Sequence, residues 1–336
     1  MTYYKHIQHL QDPLYVIAVI SNSQRYKSRY KLYKDFEKHI TDAGAVLHVV
    51  EHAFGDREFH LEENPNVTYH RVRGSDELWL KESLINYGVA RLPYNWKYVA
   101  WLDADILFNR PDWVEETKHL LQHYSVLQLF SHGSDLGPNF EPLNTWTSFA
   151  FKYEQSLISG EEAIPYASTS IVNENCYPYL YGGMKGSDIW HPGFAWACTR
   201  EAWDGFGGLI DYAVVGAADY HMAGAFIGRI DRTIGGVNKL DTYRKRLFGW
   251  QERCLRNVRK NIGFMPGHIS HYWHGKKVNR RYLDRWKIID RNNFSPDTDI
   301  MRDSQGIYQL SGNKIGLRDE LRLYFKGRNE DSIDLN

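Results

Sequence analysis

The first 130 residues alternate short apolar runs with amphipathic stretches, and this alternation limits the possible folds more than any other feature. The apolar runs have the length of buried parallel strands: LYVIAVI (14–20), AVLHVV (45–50), NVTYHRV (66–72), YVAWLDADILF (98–108) and SVLQLF (125–130). Between these runs, the residues 25–43, 76–91 and 112–124 have apolar side chains at helical spacing. The pattern predicts an α/β fold with a doubly wound, mostly parallel sheet, in which ligands bind at the carboxyl ends of the strands.

The chain changes character after residue 130. Residues 131–192 are rich in Gly, Pro, Ser, Tyr and Asn, which predicts long loops over the sheet, with room for short helices among them. A strand that enters a helix follows at 191–203, and a helix of small residues at 218–228. We therefore expect residues 1–130 and 131–290 to form two halves of one domain, and residues 291–336 to form a helical C-terminal extension.

Composition excludes several classes of protein. Hydrophobic residues make up 43% of the 336 and charged residues 24%, as in a soluble globular protein. The 41 Lys and Arg balance the 41 Asp and Glu, so no net charge draws the chain to nucleic acid or to a membrane. Three cysteines without a CxxC spacing, and no apolar run long enough for a signal peptide or a membrane span, predict free thiols and a cytoplasmic location.

Two carboxylates, Asp103 and Asp105, lie in the apolar run that starts at Tyr98. Carboxylates two positions apart at the end of a buried strand can hold Mg²⁺ or Mn²⁺, and such an ion can neutralise a diphosphate. The tripeptide alone fits a solvated turn equally well. The apolar residues that run directly up to the acids favour the metal site, because the acids then emerge from the core of the sheet.

The stretch from Asn86-Tyr-Gly88 to YVAWLDADI resembles the nucleotide-binding half of GT-A-fold glycosyltransferases, whose Asp-x-Asp motif binds a metal and the ribose and diphosphate of a nucleotide sugar. The resemblance implies a GT-A-like fold with residues 1–130 as the nucleotide-sugar-binding half. It implies that Asp105 ligates the metal and that Asp103 contacts the ribose, or the metal through water. Lys81 and Asn86 match positions beside the nucleotide, and an exposed helix face is the alternative for Lys81.

The segment 190–225, WHPGFAWACTREAWDGFGGLIDYAVVGAADYHMAGA, is similar to the acceptor-side segment of the same superfamily. In inverting members the acid of a Gly-x-x-Asp is the general base that takes the proton of the acceptor hydroxyl, and Asp219 occupies that place. Ala218 stands where a Glu usually precedes this Asp. The alternative for Asp219 is a carboxylate at a helix N-terminus, where the helix dipole stabilises it.

The segment 267–286, GHISHYWHGKKVNRRYLDRW, combines three histidines with pairs of Lys and Arg. In GT-A enzymes a late histidine completes the metal site and basic residues beside it hold the diphosphate. The resemblance thus implies His274, and second His271, as metal ligands, with Lys276 and Lys277 at the diphosphate. Imidazole nitrogen suits Mn²⁺ better than Mg²⁺. We expect His268 to be structural.

Aromatic residues make up 15% of the chain, and most of them must lie in the core. Trp190, His191 and Trp196 are candidates for contact with the donor sugar or the acceptor, since flat side chains stack on sugars. The alternation in GFAWAC fits a buried strand equally well.

Together these resemblances imply a metal-dependent glycosyltransferase that moves a hexosyl or pentosyl unit from a nucleotide diphosphate sugar of the UDP type to an acceptor hydroxyl. The order of the blocks resembles inverting members, and retention is the alternative, because late His-Gly-Lys segments also occur in retaining enzymes. The blocks look like those of bacteriophage and bacterial enzymes, some of which glycosylate hydroxymethylated bases of DNA. Residues 241–290 carry thirteen Lys and Arg against four Asp and Glu, with aromatic residues between them, as a DNA-contacting surface does.

Three alternatives remain. One is a glycan or protein acceptor instead of DNA. Another is a non-catalytic nucleotide- or carbohydrate-binding protein on the same scaffold, which would bind UDP without turnover. The third, a nucleotidyltransferase, is disfavoured, because ISNSQRYKSRY after the first strand lacks the glycine-rich loop that such an enzyme needs.

Overall fold

The computed structural model describes residues 11–160, 190–282 and 284–334, and a seven-stranded sheet lies at its centre. The strands of this sheet are β1 Leu14–Ser21, β2 Val46–Phe54, β3 Val67–Gly74, β4 Tyr98–Leu102, β6 Val126–Gln128, β10 Ala195–Thr199 and β11 Ile262–Phe264. They run in the order β11-β6-β10-β4-β1-β2-β3. Neighbouring strands are parallel except where β10 pairs with β4 and β6. The mostly parallel sheet expected from the sequence is confirmed.

Helices cover both faces of this sheet. Successive residues of β1 point to opposite sides: Val16 packs in one buried cluster and Ile17 in the other. Helix α1 (Lys27–Asp42) packs on the Val16 side through Tyr33, Phe36 and Ile40. Helix α2 (Lys81–Val89) packs on the Ile17 side through Leu84, Ile85 and Val89. The sheet is therefore doubly wound, and β1 reads as an unbroken apolar run because both of its faces are buried.

A second sheet of five strands adjoins the first. Its strands are β5 Ile106–Phe108, β7 His132–Leu136, β8 Pro142–Ser148, β9 Trp190–His191 and β12 His268–His271, in the order β5-β12-β7-β8-β9. The single strand expected over 98–108 is thus two strands in two sheets. The chain changes sheets at the turn 103–105, where the Asp103 N–H donates to the Phe194 carbonyl and the Asp105 carbonyl accepts from the Tyr272 N–H.

Residues 131–160 differ from the expected long loops, because they form β7, β8 and helix α4 (Phe149–Ser159). The Ser148 hydroxyl caps this helix by accepting from the Phe151 N–H at 3.1 Å, and Gly160 ends it with a φ of 76°. The rest of the expected loop, residues 161–189 with Cys176, lies outside the described residues.

The remaining helices surround the acceptor-side half and the chain after it. They are α3 Trp113–Leu120, α5 Arg200–Phe206, α6 Ala218–Phe226, α7 Asp241–Asn257, α8 Arg285–Arg291 and α9 Ile315–Lys326. The expected helical extension also contains a β-hairpin, formed by β13 Ile300–Arg302 and β14 Tyr308–Leu310. Helix α9 buries Leu317, Leu321 and Tyr324 against the rest of the protein. Among the described helices, none has the length and apolar character needed to cross a membrane.

Candidate functional site

A cleft of about 190 Å³ opens at the carboxyl ends of β1 and β4. The end of β1 and the turn 103–105 form one side of it, and the start of α2 forms its floor. Residues from the second sheet and from α6 form the other side, among them His191, His271 and Asp219. Three of the sequence blocks therefore meet in one place, as expected for the carboxyl edge of a doubly wound sheet.

Asp103 pairs with Lys81 across the floor of the cleft. The Lys81 Nζ donates to Asp103 Oδ1 at 2.6 Å from the first turn of α2. Burial lowers the pKa of Lys81, but the charges of Asp103, Glu82 and Asp219 outweigh it, so that the pKa of Lys81 is raised. Lys81 therefore remains a cation at the centre of three carboxyl groups.

Asp105, His271 and His274 form a cluster that could hold a metal ion, since each offers a ligand atom within 4.8 Å of the others. Asp105 Oδ2 lies 3.9 Å from His271 Nε2 and 3.3 Å from His274 Nδ1. The second oxygen, Asp105 Oδ1, is buried and has no hydrogen-bond partner among the described residues. A buried carboxylate oxygen without a partner fits a cation at this point. Burial raises the pKa of Asp105, which a bound cation would reverse.

Asp135 orients His271 from behind. Its Oδ1 accepts a hydrogen bond from His271 Nδ1 at 2.8 Å, which leaves Nε2 with its lone pair directed to the cleft side. Trp146 Nε1 donates to Asp135 Oδ2 at 3.1 Å, and the Lys277 ammonium donates to the same oxygen. Burial raises the pKa of Asp135, but Lys277 and His271 outweigh it, and the pKa lies well below its usual range. A carboxylate that fixes the tautomer of a histidine is typical of protein metal sites.

His274 is held in a similar way by the backbone. Its Nδ1, the ring nitrogen on the Asp105 side, also lies 3.1 Å from the Tyr272 carbonyl, so the backbone fixes the position of the ring. Burial lowers the pKa of His274 well below the usual value, and the nearby charges of Arg280 and His271 act in the same direction. The imidazole is therefore neutral at pH 7, as ligation requires. One carboxylate and two imidazoles fit a divalent ion such as Mn²⁺.

Asp219 also lines the cleft, from the first turn of α6. Its Oδ1 accepts from the Tyr220 N–H at 2.9 Å. Its Oδ2 lies against Gly193, where an added Cβ would be only 2.4 Å away. The glycine in HPGF thus leaves room for this carboxylate. His191 lies beside it, accepting from the Gly193 N–H at 3.0 Å, and its ring stacks on Phe194 at 3.9 Å.

Glu82 is a further carboxyl group of the cleft, and it was not predicted from the sequence. It is only 3% exposed and lines the cleft beside Lys81. Burial raises the pKa of Glu82 to about 7; Lys81 opposes this shift, and the charge of Asp219 adds to it.

Four arginines line the cleft: Arg29, Arg280, Arg285 and Arg328. Arg280 is 6% exposed, and its Nε has no hydrogen-bond partner among the described residues. It belongs to the basic block 267–286, so the sequence marked its neighbourhood. Arg29 and Arg328 belong to parts of the chain that carry no motif, and nothing local pointed to them.

Several predicted site residues lie elsewhere. Asn86 donates to the Leu209 carbonyl and accepts from the Leu209 N–H, so it holds the turn after α5 instead of lining the cleft. Trp196 is 3% exposed, with its Nε1 bound to the Pro192 carbonyl at 2.7 Å. Trp190 packs on Phe149 in the core. Both tryptophans are buried because alternate residues in this region pack against the apolar core.

Two of the three predicted lysines, Lys276 and Lys277, are not among the described residues that line the cleft. Lys277 pairs with Asp135 behind His271, so it supports the metal cluster from outside. The basic segment 241–290 places Tyr243 and Trp250 in the core at 0% and 2% exposure, so these two rings cannot stack on a base at the surface.

Comparison with known proteins gives distant structural matches alone. The chain matches no protein-family profile and no curated protein. Solved structures that it resembles include a mannosyltransferase from Pyrobaculum calidifontis in complex with GDP-Man and Mn²⁺, at 13% identity and a TM-score of 0.41, covering 88% of this chain and 72% of that one.

Two further structures match at similar distance. A putative nucleotide-diphospho-sugar transferase from Desulfovibrio desulfuricans G20 is 11% identical with a TM-score of 0.32, covering 95% of this chain and 99% of that one. The catalytic domain of Drosophila β1,4-galactosyltransferase 7, in complex with xylobiose, is 12% identical with a TM-score of 0.35, covering 92% and 98%. At these scores the matches assign neither an activity nor a substrate to this chain.

Proposed function

We propose that this chain is a metal-dependent glycosyltransferase that uses a nucleoside diphosphate sugar, with UDP as its nucleotide. One observation carries the proposal: the cluster of Asp105, His271 and His274 shares a cleft with the Asp103–Lys81 pair and with Asp219. A divalent ion site beside cations suits a diphosphate, and a carboxylate in the same cleft suits a base for an acceptor hydroxyl.

Each residue has a distinct part in this proposal. Asp105, His271 and His274 would hold Mn²⁺ or Mg²⁺, which supplies positive charge to the departing diphosphate. Asp103 contacts the ribose, and Lys81 keeps its carboxylate oriented. Arg280, whose Nε has no partner among the described residues, donates to the diphosphate in place of Lys276 and Lys277.

Asp219 is the proposed general base. Its carboxylate accepts the proton of the acceptor hydroxyl while that oxygen bonds to the anomeric carbon of the sugar. The bond from this carbon to the diphosphate oxygen breaks, and the nucleoside diphosphate leaves with both electrons. Attack from the face opposite the diphosphate gives inversion. His191, stacked on Phe194 beside Asp219, lies where it can contact the sugar.

The first candidate for the acceptor group is a hydroxyl of a carbohydrate. Tyr243 and Trp250, two of the aromatic residues in the basic segment 241–290, are in the core. Hydroxymethylated duplex DNA is the second candidate, because residues 241–290 carry nine more Lys and Arg than Asp and Glu. Two described cysteines, Cys198 and Cys254, are free thiols, which agrees with the cytoplasmic location that we propose.

The test is transfer of radiolabelled sugar from UDP- and GDP-sugars, with Mn²⁺, to oligosaccharides, proteins and hydroxymethylated duplex DNA. We expect transfer to one acceptor class, and its loss in Asp219→Asn with UDP binding retained. Asp231→Asn is the matched control, since Asp231 is a half-exposed acid outside the cleft. UDP binding without transfer or sugar hydrolysis would identify a binding protein instead of an enzyme.

A further inference from the structure

The segment 328–332, which follows α9, packs beside the loop that carries His274, and its first residue, Arg328, lines the cleft. Gly275 has a φ of 84°, and an added Cβ would lie 2.7 Å from the Asn329 carbonyl oxygen and 2.8 Å from Glu330 Cα. Backbone therefore passes against backbone directly after His274. Two residues earlier, the Trp273 Nε1 donates to the Ser332 carbonyl at 2.6 Å. The segment is fastened to the metal-site loop at both points.

The same segment is fastened to the start of α1. The Asp331 carboxylate accepts from the Lys27 N–H at 2.9 Å and from the Ser28 N–H at 2.8 Å, and so caps a helix whose own N-cap residue makes no side-chain cap. The Tyr26 hydroxyl accepts from the Asn329 N–H at 3.0 Å. Segment 328–332 thus joins the loop after β1 to the loop after β12.

Glu330 lies at the middle of this connection and is 1% exposed. Its carboxylate accepts from Arg29 Nε at 2.5 Å and Nη2 at 2.7 Å, and from Arg328 Nε at 2.6 Å. Arg29 also donates from Nη1 to the Ser21 carbonyl at the end of β1, at 2.6 Å. Burial raises the pKa of Glu330, but the two guanidinium groups outweigh it, so the pKa lies well below its usual value and the carboxylate is charged.

The geometry points to Glu330 as a positioning residue for the nucleotide cleft: it holds the guanidinium groups of Arg29 and Arg328 at the cleft wall, ready for the phosphates of the donor. This inference rests on the proposed function for the identity of the ligand. Arg29 and Arg328 line the cleft, whereas Glu330 is behind them. Long side chains that are fixed before binding lose less conformational entropy when an anion arrives.

The direction in which Glu330→Gln changes the affinity for an anion distinguishes a positioning role from simple charge compensation. If Glu330 only neutralised positive charge, Glu330→Gln would leave the cleft one unit more positive and would bind an anion more tightly. If Glu330 positions the arginines, its loss leaves two buried guanidinium groups without their carboxylate, and they turn away to find other partners. Anion binding is then weaker although the net charge is more positive.

The test is calorimetric binding of UDP and of inorganic pyrophosphate, each with Mn²⁺, to the full chain and to Glu330→Gln, Glu330→Asp and Glu320→Gln. Glu320 on α9 is the matched control. It forms an ion pair with Arg291 at 2.5 Å, and it lies outside the cleft. We expect Glu330→Gln to weaken both ligands by about tenfold or more, Glu330→Asp to weaken them less, and Glu320→Gln to match the wild type. Mn²⁺ alone should bind with unchanged affinity.

Equal or tighter binding of UDP and pyrophosphate to Glu330→Gln overturns the inference. If this variant does not fold, Arg29→Lys takes its place: it keeps the charge but loses the two-pronged contact, so both ligands should weaken, and unchanged binding overturns the inference. If the wild type binds pyrophosphate but not UDP, the proposed function is overturned and the positioning role of Glu330 remains. Binding of neither ligand would overturn both.

Discussion

Replacing Glu82 by glutamine should stabilise the folded protein increasingly as the pH rises. Glu82 is 3% exposed, and its pKa is raised from 4.5 to about 7, because burial and the charge of Asp219 outweigh the attraction of Lys81. The unfolded chain therefore loses this proton near pH 4.5 and the folded chain only near pH 7. Between these values the wild type loses stability as the pH rises, while the glutamine variant has no proton to lose.

The magnitude follows from the two pKa values. With 1.36 kcal/mol for each pKa unit, the Glu82 carboxyl lowers the free energy of unfolding by about 1 kcal/mol at pH 5 and by about 3 kcal/mol at pH 8. Glu82→Gln removes this loss. Its gain in stability over the wild type should therefore increase by about 2 kcal/mol between pH 5 and pH 8.

Urea unfolding of the metal-free protein at pH 5, 6, 7 and 8 measures this difference. EDTA in every sample keeps metal binding from adding its own pH dependence. Glu252→Gln is the matched control, because Glu252 is an exposed glutamate on α7. A stability difference between Glu82→Gln and the wild type that is the same at pH 5 and pH 8 would show that the pKa of Glu82 is not raised in the folded protein.

Three further predictions test individual residues. Asp135→Asn should weaken Mn²⁺ binding in calorimetry by about 10- to 100-fold, because His271 loses the carboxylate that fixes its tautomer; an unchanged affinity would separate Asp135 from the metal site. Gly193→Ala should lower sugar transfer and spare UDP binding, since the new Cβ meets Asp219; normal turnover would contradict the placement of this carboxylate. Trp196→Phe should lower the free energy of unfolding by about 1 kcal/mol with KM unchanged, because it loses a buried hydrogen bond.

Much of the central sheet could be predicted from the sequence, because it depends on local patterns. β1 and β4 are apolar on both faces, and Tyr33, Phe36 and Ile40 follow helical spacing in α1. The break after Leu102 could not be predicted, since Ile106–Phe108 is as apolar as the strand before it. Its partner is β12, about 160 residues further along the chain, and that pairing moves β5 into the second sheet.

β7 and β8 were missed for another reason. HGSDL and PLNTWTS contain few apolar residues, so neither has the composition of a strand. Gly133 is part of a close approach and not of a loop: an added Cβ would lie 2.1 Å from the Trp146 ring in the neighbouring strand. Contacts across the sheet, and not local preference, fix these strands.

The candidate site divides in the same way. Five of the residues that line the cleft belong to short motifs of the sequence: Asp103, Asp105, His271, His274 and Asp219. No motif marks Asp135, Glu82 or Glu330. Asp135 binds His271 and Glu330 binds Arg29, and the charge of Asp219 helps to raise the pKa of Glu82, so each depends on a residue that is distant in sequence. Sequence patterns find groups that face a ligand more readily than the groups that hold them.

The most direct measurement of the central claim is calorimetric binding of UDP and GDP, each with and without Mn²⁺, to the wild type and to Asp105→Ala. Asp112→Ala is the control, since Asp112 is an exposed acid next to Arg110 and outside the cleft. We expect nucleotide binding that requires Mn²⁺, is lost in Asp105→Ala and persists in Asp112→Ala. Binding of neither nucleotide in the presence of Mn²⁺, or equal binding by Asp105→Ala, would contradict the central claim.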